Sequence, residues 1–83
     1  MVGALYECTD ATWVSAPRHR PGRSVTVARG DFITVIWVEP EAEAAVPWIR
    51  DATVMTSTGV STVSLGSLEK LIKSGALVRV DGP

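Results

Sequence analysis

With 83 residues, 46% of them hydrophobic and 20% charged, the chain is long enough for one small domain and too apolar to remain disordered. A formal net charge of -1 gives no overall field to draw in nucleic acid or an anionic membrane, and one cysteine beside one histidine excludes an intrachain disulfide and a zinc site. No apolar run approaches the ~20 residues of a membrane helix and the N-terminus MVGALYECTD lacks the pattern of a secretion signal, so the expectation is a soluble protein, cytoplasmic or virion-associated, with no membrane partner.

From Val2 to Cys8 the run VGALYEC has strand character, with Val2, Ala4 and Tyr6 on one face and Gly3, Leu5 and Glu7 on the other. Thr9-Asp10 marks a turn, and Ala11 to Ser15 reads either as a second short strand or as the lip of the loop that follows. In that loop, Ala16 to Arg23, two prolines, a glycine and three arginines remove backbone donors and leave no apolar face. It is also the basic hot spot of the chain, where Arg18, His19, Arg20 and Arg23 supply the groups that would gather round a phosphate or an acidic partner.

Val25 to Glu39, VTVARGDFITVIWVE, predicts a tight hairpin on a two-residue Gly30-Asp31 turn. That register sets Arg29 against Phe32, Val27 against Thr34 and Val25 against Ile36, which assigns Val25, Val27, Phe32, Ile36 and Val38 to the core. The opposite face then carries Ile33, Val35 and Trp37, too apolar to be left in water, and these three are the expected partner-binding residues. The turn tripeptide Arg29-Gly30-Asp31 resembles the integrin-recognition motif, but Gly-Asp is what the turn itself needs and adhesion is not expected.

Glu39 to Pro47 turns acidic and alanine-rich, and Pro40 can open a single helical turn that Pro47 prevents from extending. The opposite charges of this segment and of the Ala16 to Arg23 loop suit pairing within a subunit or between subunits. A second hairpin is expected from Ala52 to Ser57 and Val60 to Ser64 about Thr58-Gly59, with Val54 opposite Val63 and Met55 opposite Thr62. Ser64 to Ser74 is the convincing helix. Ser64 is its N-cap, Val63 and Leu68 form its hydrophobic staple, Leu65, Leu68, Leu71 and Ile72 its apolar stripe, and Gly75 its left-handed stop. Ala76 to Val80 returns as a strand.

The segment SLEKLIKSGALVRV resembles the end of a winged-helix domain, yet residues 1 to 63 are strands and loops and supply none of the helices such a domain needs, so no family is assigned. The element order predicts a single mainly β domain, either a small five- or six-stranded SH3-like or OB-like barrel or a strongly bent antiparallel sheet, with the helix near the C-terminus. Functionally this suits a non-enzymatic interaction or assembly protein, a homo-oligomer or part of a larger complex, joined through the apolar sheet face and the charged loops. The absence of Asn and Gln fits a GC-rich genome, and a phage structural or host-takeover protein is one concrete form. The alternative is a small anion, nucleotide or nucleic-acid binding module, with Arg18, His19, Arg20 and Arg23 on phosphates and Trp13 or Trp48 stacked on a base. No activated nucleophile, paired carboxylates or cofactor motif points to catalysis, so neither enzyme activity nor a cofactor or metal is expected.

Overall fold

The computed structural model describes residues 2–17, 23–44 and 49–80. The chain is mainly β; the described residues contain strands β1 (Leu5–Cys8), β2 (Thr12–Val14), β3 (Val25–Val27), β4 (Phe32–Val38), β5 (Asp51–Thr56), β6 (Gly59–Ser64) and β7 (Leu77–Arg79), and one α-helix, α1 (Leu65–Ser74). Five strands form a bent antiparallel sheet in the order β6-β5-β4-β1-β7, while β2 and β3 form a separate antiparallel pair. Among the described residues neither sheet closes on itself, so the open alternative holds and the barrel does not.

The expected first hairpin is replaced by a corner. Ala28 to Asp31 form the turn, with the Asp31 N–H donating to the Ala28 carbonyl at 3.0 Å and Gly30 at a φ of 88°, where a Cβ is poorly tolerated. The chain does not fold β3 back on β4. It carries β3 over the sheet to pair with β2, Val27 opposite Thr12 and Val25 opposite Val14, and frees β4 to pair with β1 on one side and β5 on the other.

This corner inverts the expected faces of β4. Ile33 and Val35 are fully buried, whereas Phe32, Ile36 and Trp37 are exposed. Val25 and Val27 are in the core as expected, and Val38 packs partly against it. A β-bulge explains why Val38 returns inward: Val35 faces Val54 and Trp37 faces Thr53, leaving Ile36 as the extra residue and turning both Ile36 and Trp37 outward.

One layer covers the inner face of the large sheet. Ala4, Tyr6, Cys8, Ile33, Val35, Ala52, Val54, Val63 and Leu77 from the sheet meet Val14, Val25 and Val27 from the β2–β3 pair and Leu65 and Leu68 from α1. The helix matches its sequence signals: the Ser64 hydroxyl accepts the Ser67 N–H, and Gly75 ends it at a φ of 88°. The acidic segment makes the expected short turn, a 3-10 helix at Glu41–Glu43 entered from Pro40. The second hairpin turns one residue earlier than expected, on Ser57-Thr58. Thr56 therefore faces Gly59 and Met55 faces Val60, a shift that keeps Val54 and Val63 on the same inner face.

Two isoleucines on one strand test the assignment. Ile33→Ala is expected to lower the unfolding free energy by about 2–5 kcal/mol and Ile36→Ala by about 1 kcal/mol or less. Urea denaturation reads both, and equal losses would contradict these faces.

Candidate interaction surface

The strand registers place the outward side chains of the large sheet in three rows. The middle row runs Val60, Met55, Thr34, Leu5 and then Val80, whose N–H donates to the Leu5 carbonyl at 3.0 Å. Beside it lie Thr62, Thr53 and Trp37 on one side, and Phe32, Glu7 and Val78 on the other. Phe32, Ile36, Trp37, Met55, Val60, Val78 and Val80 are exposed to between 40% and 61%. Glu7 is the one charged residue in these rows. A face of this kind, apolar across five strands and almost uncharged, is what a buried contact requires and what a solvated sheet avoids.

Of the partner-binding residues expected from the sequence, Trp37 lies on this face, while Ile33 and Val35 are core residues and present nothing to a partner. Phe32, Ile36, Met55, Val60, Val78 and Val80 were not among the expected set. A usable signal lay in the second hairpin: its alternation puts Val54 inside and Met55 outside, and pairing β5 to β4 then forces Thr34 out and Ile33 in.

The anion-binding set is divided. Arg18, His19, Arg20 and Trp48 lie outside the described residues, as does most of the basic loop and the end of the acidic one, so the charge pairing between those loops does too. Arg23 is exposed at the loop's far end, and Trp13 is exposed at 64% on the outer side of β2, opposite Thr26. In the Arg29-Gly30-Asp31 turn, a carboxylate oxygen of Asp31 accepts the Ala28 N–H at 3.3 Å, which ties that side chain to the turn.

A cleft of about 390 Å³ opens at the start of α1, lined by Ser15, Arg50, Asp51, Ser64, Ser67 and Lys70 among others. Its hydroxyls serve the fold. The Ser64 N–H donates to the Ser15 carbonyl at 2.8 Å, the Ser15 N–H donates to the Ser67 hydroxyl at 3.0 Å, and the Ser67 N–H donates to the Ser64 hydroxyl at 3.4 Å. Together they latch the end of β2 to the junction of β6 and α1. Behind the cleft, Glu39 and Asp51 are both buried at the end of the β4–β5 pair. The Glu39 N–H donates to the Asp51 carbonyl at 2.9 Å, the Asp51 N–H donates to the Glu39 carboxylate at 3.2 Å, and Arg50 Nε donates to the Glu39 carbonyl at 2.8 Å. These contacts fix backbone. Among the described residues no three His, Cys, Asp or Glu side chains come together to hold a metal ion, and no helix is long and apolar enough to cross a membrane.

No protein-family model, curated protein or solved structure matches the chain. The function therefore has to be argued from the chemistry of these surfaces. For the serine latch, Ser67→Ala leaves the Ser15 N–H without its acceptor in a half-buried site and is expected to cost about 1–3 kcal/mol. Thermal unfolding of the variant measures it, and an unchanged stability would remove the latch from the account.

Proposed function

We propose that this protein is a non-enzymatic interaction or assembly module whose working surface is the outer face of the five-stranded sheet. The observation that carries this is the in-register apolar array of Val60, Met55, Leu5 and Val80 about Thr34, flanked by Trp37 and Phe32, with Glu7 the one charge in the rows. Leaving such an area in water has a free-energy cost of about 25 cal/mol per Å² that a complementary apolar surface would recover. The backbone that carries these side chains is held by strand pairing. It is also anchored from beneath by the core, so docking would order little of it that is not already ordered.

The same reading supports a protein partner over a nucleic acid. A phosphate backbone is held by clustered cations, and these rows contain none. A phage structural or host-takeover role is one setting for such a module.

An apolar fluorescent dye tests the surface directly. At concentrations where it is monomeric, the folded protein is expected to bind the dye, and a Phe32→Lys/Met55→Lys double variant is expected to lose most of that binding while keeping the unfolding free energy of the monomer within about 1 kcal/mol. Dye binding undiminished in a folded double variant, or no binding by the native monomer, would overturn the proposal.

A further inference from the structure

The outer face has the extent and layout of a surface that meets its own copy. We infer that two copies stack these faces on each other across a two-fold axis passing beside Thr34, so that the sheets form the middle of a sandwich with one core on either side. This rests on the reading of the face as a docking surface and names its occupant.

Area is the first reason. With the seven apolar side chains exposed to between 40% and 61%, the face offers roughly 600–800 Å² per copy, close to the ~800 Å² that each partner contributes to a stable complex. Shape is the second. Five strands spaced by ~4.8 Å span about 20 Å, twice the ~10 Å width of a docked helix, whereas a second sheet of the same width covers every row.

Position and charge fix the axis. A two-fold contact is centred on its axis. Thr34 is the middle residue of the middle row on the middle strand, with Met55 and Val60 to one side and Leu5 and Val80 to the other. Its small side chain leaves room at the centre for the larger ones around it to interdigitate. Glu7 lies one strand and one row from Thr34. For an axis lying between aligned sheets and directed along β4 or along the middle row, the two Glu7 carboxylates stand on opposite sides of it, about 10 Å or more from one another. A net charge of -1 per copy adds little repulsion.

The test combines mass with cross-linking. Light scattering of the native protein from micromolar concentration upward is expected to give twice 8.8 kDa, and the Phe32→Lys/Met55→Lys variant the monomer mass. A short bis-maleimide is expected to join copies of Thr34→Cys and to leave Thr62→Cys, on the edge strand β6, and the native protein, whose one cysteine is buried, unjoined. Cross-linking through Thr62→Cys but not Thr34→Cys would overturn stacking in favour of edge-to-edge pairing of β6. A native protein that stays monomeric would overturn the second copy as occupant, while dye binding lost only in the double variant would leave the docking surface standing. A dimer that persists in the folded double variant would overturn both.

Discussion

Four hydrogen bonds meet at the corner between β3 and β4. Asp31 and Ala28 exchange two of them, one through the Asp31 carboxylate, and the other two join the corner to β1, from Gly30 N–H to the Cys8 carbonyl and from Cys8 N–H to the Asp31 carbonyl, both 2.8 Å. The end of β1 is thereby fastened where a hairpin would have needed β3 to lie. With β1 on one edge of β4 and β5 on the other, β3 has no place in the large sheet and crosses above it to β2. Every later feature depends on this: which side of β4 is inside, what covers it, and what remains outside.

What remains outside follows from which elements are left to cover the sheet. Among the described residues, a chain that places five strands in one sheet has β2, β3 and α1 to make a second layer, enough to cover one face. The other face would ordinarily be polar. Here its alternating positions are filled by valine, methionine, phenylalanine and tryptophan with threonine between them, and the bulge at Ile36 adds a further large side chain to it. Beneath it the core is apolar as well, from Ala4 and Ala52 through the valines to Ile33, Leu68 and Leu77, so the sheet carries apolar side chains on both faces.

Much of this was legible in the amino-acid sequence, and the parts that were not share a cause. The helix could be read because its signals are local: a serine cap, a leucine stripe and a glycine stop each act within one or two turns. The same holds for the short acidic turn at Glu41–Glu43, enclosed between two prolines. Strand pairing is not local. The stretch Phe32-Ile33-Thr34-Val35-Ile36-Trp37-Val38 is apolar at six of seven positions, so alternation gives no sign of which side is inside, and a turn such as Arg29-Gly30-Asp31 suits a corner as well as a hairpin. A hairpin there would reverse the faces and turn Ile33 and Val35 outward. Of Ile33, Val35 and Trp37, Trp37 alone lies on the outer face. In the second hairpin, the serines and threonines around Gly59 allow two neighbouring turns, and a shift that preserves the faces is invisible to the hydrophobic pattern.

The buried thiol of Cys8 has a consequence of its own. It faces inward from the end of β1, its hydrogen directed to the Asp10 carbonyl at 2.7 Å, with the Val27 carbonyl 3.7 Å away in the strand above. Sulfur and solvent are separated by the β2–β3 flap, which is held to the rest of the fold by short ladders and the serine latch. Alkylation or oxidation at this position requires the structure around it to open, so the rate of thiol modification reports how often the native fold exposes this end of β1.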